Sequence, residues 1–147
     1  MRAVVTRVKS ASVEIDGSIY SSIGDGLLVL LGVHQEDTEA EALKIADKLC
    51  GLRIFEDENG KMNVNPADAG AELLIISQFT LFADCKSRRP GFSKAARPDT
   101  AIPLYELVIE KCREKGFKVG TGVFGADMKV ASVNDGPVTI ILDTKEL

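Results

Sequence analysis

Four stretches of this chain combine residue types that could do chemistry. The first is Ser77-Gln78-Phe79-Thr80-Leu81, where three hydrogen-bonding side chains interrupt an apolar run from Glu72 to Phe82. Buried polar groups need partners, so such an interruption marks either a strand end meeting water or the floor of a polar pocket. As a strand it would send Ser77 and Phe79 to one face and Gln78 and Thr80 to the other. As a pocket floor, Phe79 offers a stacking face to a base while hydroxyls and backbone amides hold a polar ligand.

The second stretch is Lys86 to Arg97, which places five cations (Lys86, Arg88, Arg89, Lys94 and Arg97) in twelve residues without an acid. The chain carries a net charge of −4, so the remainder carries −9 and the asymmetry is pronounced. Such a cluster is either a solvated loop or, with Phe92, Gly91 and Pro90 interleaved, a contact for phosphate or RNA. The overall negative charge gives no general attraction to nucleic acid, so any binding must be local. The third is Arg7, on the opening strand. Strand arginines are commonly solvated, but five fixed donors also suit bracing the carbonyls of a turn. The fourth is Val133-Asn134-Asp135-Gly136-Pro137-Val138-Thr139. Its local chemistry reads as a tight hairpin bend between two strands, or as a rigid Gly-Pro backbone presenting carbonyls to a ligand.

The remaining reactive residues limit the chemistry. One histidine, His34, excludes a multi-histidine zinc site, and any Ser-His-Asp triad would have to use it. It follows an apolar run directly, as a strand-end or surface residue would. Cys50, Cys85 and Cys112 are odd in number and lack a CxxC spacing, which fits reduced thiols in a cytoplasmic compartment. Cys50 and Cys112 fall in helical patterns and read as small buried hydrophobes. No metal and no cofactor is expected. No apolar run approaches the roughly 20 residues of a membrane span, and the first residues alternate like a strand rather than a signal peptide.

Elements must position these groups. Residues 2–9 and 12–15 read as strands, with Asp16-Gly17 as a hairpin turn into Ser18-Ile19-Tyr20. Leu27 to Val33 reads as a central strand covered on both faces. Asp37-Thr38 can cap a helix reaching about Leu49, with Ala42, Ile45, Ala46 and Leu49 on its buried side and Gly51 to end it. A short strand over 52–55, a loop over 62–70 and a second strong strand over 72–82 follow. A second helix is expected from Asp99 or Thr100 to Lys115, with Pro103 tolerated in its first turn. Three strands are expected between Phe117 and Thr144, broken near Gly125 and at Asn134 to Pro137. With 147 residues, one α/β domain over 1–147 with mostly antiparallel sheets and two long helices is the expected organisation.

Taken together, these motifs resemble the D-aminoacyl-tRNA deacylase family. The resemblance runs from Arg7-Val8 and Ala11-Ser12-Val13 through Ser77-Gln78-Phe79-Thr80-Leu81 and Arg89-Pro90 with Phe92. It continues through Thr121-Gly122-Val123-Phe124-Gly125-Ala126-Asp127-Met128 and ends at Asn134-Asp135-Gly136-Pro137-Val138-Thr139. Thr6 departs from the family's usual Gln.

The resemblance implies a cytoplasmic homodimer that hydrolyses the ester between a D-amino acid and the 3′-terminal adenosine of tRNA, and also clears mischarged glycyl-tRNA. It implies that Gly136-Pro137 is cis and enters the partner's pocket, where its carbonyls obstruct an L-side chain. Arg7 would hold that loop, with Asn134 and Met128 also at the substrate, and Ser77 to Thr80 would line the pocket. Lys86, Arg88, Arg89 and Lys94 are the expected tRNA contacts. For the ester chemistry, either Thr80 is the nucleophile or the terminal ribose 2′-hydroxyl assists while backbone amides hold the oxyanion. No His or Lys neighbours Thr80 in sequence, which favours the second. A non-catalytic nucleic-acid-binding protein and a general small-ester hydrolase are the competing classes.

Overall fold

The long strands of this chain are built from β-branched and leucine residues, and they assemble into one mixed sheet with both long helices on one face. The computed structural model describes residues 1–147. In order, the elements are β1 (Arg2–Ile15), β2 (Ser18–Ile23), β3 (Gly26–Gly32), α1 (Glu39–Gly51), β4 (Phe55–Glu56), β5 (Met62–Val64) and β6 (Glu72–Ser77). A 3₁₀ helix (Phe79–Phe82), α2 (Pro98–Glu114), β7 (Val119–Thr121), β8 (Lys129–Asp143) and a terminal 3₁₀ turn (Thr144–Glu146) complete the chain.

The main sheet runs β2-β1-β3-β6-β7, with β8 also on β1. β1 is the organising strand. Its first half pairs with β3, its last residues pair with β2, and β8 runs antiparallel along nearly its whole length. β3, β6 and β7 are parallel to one another, so antiparallel pairing dominates around β1 and parallel pairing beyond it. The expected strands over 2–9 and 12–15 are thus one strand, because β8 supports β1 continuously and absorbs irregularities as bulges between Thr6 and Val8 and between Val8 and Ser10.

Alternation along β3 sends Leu27, Val29 and Leu31 into the principal core with α1 and α2, as Ala42, Ile45, Leu49, Leu104 and Val108 do from the helices. Leu28 and Leu30 pack on the opposite face against a smaller cluster of Val8, Ala11, Val13, Ile23, Leu74 and Ile76. That face is covered because the β1–β2 end folds over it, with the Ser21 hydroxyl donating to the Thr121 carbonyl at 2.6 Å. Each fully buried Leu or Ile contributes about 1.5–3 kcal/mol; β3 is fully covered on the helix side and partly covered on the other, where Leu28 and Leu30 are half-buried.

α1 begins at a full capping box. The Thr38 side chain accepts from the Ala40 amide, and Glu41 accepts from the Thr38 amide at 2.6 Å. Donation from the Thr38 amide and, at 2.8 Å, from the Thr38 hydroxyl holds the Glu41 carboxyl below its usual range. α2 starts at Pro98 rather than Asp99, which is consistent with proline's fixed φ at a first helical position. Where the helices meet, Cys50 and Cys112 approach to 3.6 Å as free, buried thiols, bearing out their reading as small hydrophobes. The hydrogen bond to Cys50 and burial hold the Cys112 thiol above its ordinary range.

Four expectations are corrected. The strand over 72–82 ends at Ser77 and becomes a 3₁₀ helix. The segment from Met62 is not all loop, because Met62–Val64 pairs with Phe55–Glu56, to which the expected 52–55 strand is shifted. Only two strands follow Phe117, since Asn134 to Pro137 does not turn the chain back. Both flanks of that segment pair with β1, so β8 is one strand whose middle bulges outward.

Candidate active site

Parallel sheets bind ligands outside the carboxyl ends of their strands, and the Ser77 segment lies at such an end. Ser77 is the last residue of β6, registered against Leu31 of β3, while β7 ends at Thr121, level with Ile75. The Gln78 amide donates to the Leu31 carbonyl at 2.8 Å, after which the chain leaves the sheet in the 3₁₀ helix. The two-faced alternation expected from a strand therefore does not apply. Instead Gln78 Nε2 donates to Thr80 Oγ1 at 2.6 Å, and both Phe79 and Thr80 are exposed on the ledge. Phe79, 52% exposed, meets Phe92 edge to face with centroids 5.1 Å apart, leaving much of its ring uncovered.

Close backbone packing shapes the ledge's other wall. A Cβ on Gly122 would run into the Met128 sulfur and approach Ile76 at 3.9 Å, so Met128 is seated between the ends of β6 and β7. Beyond it lies a cavity of about 770 Å³ lined by Ile102, Tyr105, Thr121, Gly122 and Phe124. Tyr105 crosses beneath, donating its hydroxyl to the Ile75 carbonyl at 2.6 Å, and burial pushes its phenol up to about 12.

The basic segment leaves this ledge as a loop. Asp84 and Gly91 exchange backbone hydrogen bonds at 2.7 and 2.9 Å, closing a tight excursion that carries Lys86, Arg88 and Arg89 into solvent. Lys94 is exposed farther along, where its carbonyl accepts from the Gln35 amide at 2.9 Å. Ser77 to Thr80, Met128 and the cationic loop are thus contiguous.

Arg7 and Gly136-Pro137 form a separate group. The Arg7 side chain is buried, its NH1 donating to the Ile54 carbonyl at 2.7 Å and its Nε to the Asp135 carbonyl at 3.2 Å. Carboxylates of Asp135 at 3.5 Å and Glu56 at 3.9 Å balance its charge. Lys9 bridges Asp25 at 3.2 Å and Asp135 at 3.8 Å, and its hydrogen bond to Asp25 holds the ammonium above its ordinary range. Gly136-Pro137 is a cis peptide, and Gly136 has φ +130°. A Cβ there would come within 2.8 Å of Val138 and 3.3 Å of the Arg7 guanidinium. Asn134 is exposed on the same strand, accepting from Ser132 Oγ at 3.0 Å.

The two groups do not meet within this chain. The Ser77 level of the sheet aligns with Ala3 through Leu31, four residues from Arg7. Strand spacings put Gly136-Pro137 about 14 Å across the sheet and about 13 Å along it from Ser77, roughly 20 Å in all. Sequence inspection missed the Ile54 carbonyl and Glu56 as anchors of Arg7. A carbonyl carries no sequence signal, and Glu56 looked like one more acid beside a turn.

Fold and site together define an α/β protein with a polar, aromatic ledge at its carboxyl edge, a cationic loop leaving that ledge, and a braced Gly-Pro element on an edge strand. The D-Tyr-tRNA(Tyr) deacylase family profile matches residues 4–143. A D-aminoacyl-tRNA deacylase of Geobacillus sp. (strain WCH70) is 54% identical over 147 residues, covering 99% of this chain and 97% of that protein. One of Anaeromyxobacter dehalogenans (strain 2CP-C) is 56% identical, covering 100% and 99%. A solved structure described as c-Myc DNA Unwinding Element Binding Protein superposes with a TM-score of 0.92 at 41% identity, covering 97% of this chain and 98% of that one. A probable eukaryotic D-amino acid tRNA deacylase shares the fold at TM-score 0.83 and 16% identity, covering 96% and 97%. The chain belongs to the D-aminoacyl-tRNA deacylase family, a family of ester hydrolases.

Proposed function

We propose that this chain, as a cytoplasmic homodimer, hydrolyses the ester joining a D-amino acid, or mischarged glycine, to the 3′-terminal adenosine of tRNA. The observation that carries this reading is the division of the site. A substrate ledge at Ser77 to Thr80 and a rigid Gly136-Pro137 element are both built, yet lie about 20 Å apart in one chain. A second copy that lends its Gly136-Pro137 to this ledge would complete the site. The 15-residue edge strand β8, with Val133 and Ile141 exposed beside that element, supplies a surface for self-association.

D- and L-esters carry the same groups, so attraction discriminates between them poorly, whereas a fixed obstacle rejects one hand. Backbone atoms suit that task because they meet the α-carbon's substituents whatever the side chain. Glycine has no side chain to reject, so glycyl-tRNA passes. Phe79 stacks on the adenine, Asn134 and Met128 border the substrate, and Lys86, Arg88, Arg89 and Lys94 meet backbone phosphates. In the hydrolysis step the terminal ribose 2′-hydroxyl assists, and backbone amides near Phe79 and Thr80 hold the oxyanion. The Thr80 oxygen is engaged as an acceptor from Gln78 Nε2, and no His or Lys neighbours it in the sequence.

Matched D- and L-aminoacyl-tRNA test the reading. Hydrolysis of the D-ester with sparing of the L-ester is expected; equal hydrolysis removes the steric filter. Thr80→Ala retains much activity, and a terminal 2′-deoxyadenosine substrate is cut poorly. A dead Thr80→Ala with full activity on the deoxy substrate reverses those roles. The 41% identical neighbour described as a DNA-element binding protein favours a second reading, a non-catalytic nucleic-acid binder. That reading requires salt-dependent binding to tRNA of any charging state and no ester cleavage.

A further inference from the structure

Behind the ledge, on the far side of the 3₁₀ helix, lies a second cleft of about 210 Å³ whose lining includes Arg2, His34, Phe82, Lys94, Asp143 and Lys145. Its chemistry is cationic and incompletely neutralised. Asp143 is engaged by Arg2 at 2.9 and 3.0 Å and accepts from the Lys145 amide at 3.0 Å. The ammonium groups of Lys94 and Lys145 make no ion pair or hydrogen bond, so two positive charges stand unopposed beside the Arg2–Asp143 pair. His34 Nδ1 accepts from the Glu36 amide at 3.1 Å, which leaves Nε2 to carry the ring proton as a further donor.

The cleft is mechanically joined to the ledge. Arg2 NH1 donates to the Leu81 carbonyl at 2.8 Å, and its guanidinium lies 4.8 Å over the Phe82 ring. His34 meets the same ring edge to face at 5.2 Å. Leu81 and Phe82 belong to the 3₁₀ helix that also carries Phe79 and Thr80. The basic loop begins at the ledge and returns through Lys94 to the cleft. Cations therefore flank the ledge on both sides.

We propose that this cleft is a second phosphate-binding site for the substrate RNA, in which Lys145 and Lys94, backed by Arg2 and His34, take a backbone phosphate of the tRNA acceptor arm. The proposal rests on the reading of the ledge as the seat of the terminal adenosine. RNA leaving that seat crosses the 3₁₀ helix either toward Lys86, Arg88 and Arg89 or toward this cleft, and the cleft adds a second anchor. Lysines act here as point charges, so they fix RNA position and contribute affinity without reading sequence.

Lys145→Glu tests it, with kcat/KM measured on full-length D-aminoacyl-tRNA and on D-aminoacyl-adenosine, which lacks the arm. The ratio of tRNA to adenosine ester efficiency is expected to fall about tenfold, equivalent to about 1.4 kcal/mol. An unchanged ratio, including an equal loss on both substrates, overturns the proposal. Binding of uncharged tRNA provides an arm independent of catalysis. The slope of log affinity against log salt should become shallower by about one in the variant; an unaltered slope refutes the cleft. Failure of the parent protein to cleave either ester would sink the enzymatic reading, while the uncharged-tRNA arm would still decide the cleft.

Discussion

Arg7 Nε donates to the carbonyl of Asp135 at 3.2 Å, tying the first strand to the last across 128 residues. The same guanidinium reaches the Ile54 carbonyl at 2.7 Å. One buried side chain thus fixes the Gly136-Pro137 element against two independent parts of the backbone. A lysine cannot reproduce this, because a single ammonium lacks the planar fork needed to serve both carbonyls at their separate bearings.

Arg7→Lys should therefore loosen the element without unfolding the sheet. Leaving one buried carbonyl unpaired costs about 1–3 kcal/mol, which a shift in denaturation midpoint would register. The ratio of D- to L-aminoacyl-tRNA hydrolysis should fall as the obstacle gains freedom. An unchanged ratio in a measurably destabilised variant would show that Arg7 serves only folding.

Gly136→Ala attacks the same element from the backbone. At φ +130° with a Cβ 2.8 Å from the Val138 side chain and 2.9 Å from its amide nitrogen, an alanine must displace the strand. A residue forced into such a conformation costs about 1–3 kcal/mol. The expected variant folds with a lowered melting temperature and cleaves the L-ester detectably. Wild-type selectivity in that variant would exonerate Gly136 as a filter.

Much of this was legible in the sequence, because local signals and tertiary context agreed. The capping residues and helical spacing of α1 and the unbroken apolar run of β3 specify those elements without help. The segment from Asn134 to Pro137 was not legible. Its turn chemistry is real, but continuous pairing of β1 with both flanks outweighs it and converts a bend into a bulge. Ser77 to Thr80 failed for a related reason. The apolar residues on either side argued for one strand, yet β7 pairs only as far as Ile75 and β3 only as far as the Gln78 amide, so the sheet offers no partner to Phe79 and beyond. The Arg7 anchors at Ile54 and Asp135 were invisible because backbone carbonyls have no residue type.

Phe79→Ala tests the stacking role. The ring is half exposed and touches Phe92 at its edge, so little of the core depends on it. Base–aromatic stacking is worth about 1–3 kcal/mol, so KM for D-aminoacyl-tRNA should rise roughly five- to 150-fold with melting temperature nearly constant. A variant that loses stability but keeps its KM would make Phe79 a packing residue.

Tyr105 gives the protein an alkaline limit. Its phenol is pushed up to about 12, first by burial, from an ordinary value of 10.0. A group whose folded value lies above its unfolded one stabilises fully below the lower value, and loses that contribution as pH rises through the higher. The difference of about two units is worth at most about 2.7 kcal/mol, lost between roughly pH 10 and 12. Tyr105→Phe removes the ionisation together with the hydrogen bond to the Ile75 carbonyl. The variant should be less stable than the parent at pH 8, by about 1 kcal/mol, yet decline more gently from pH 10 to 12. Chemical denaturation across that range in both proteins reads the crossing directly, and parallel declines would mean that other groups set the limit.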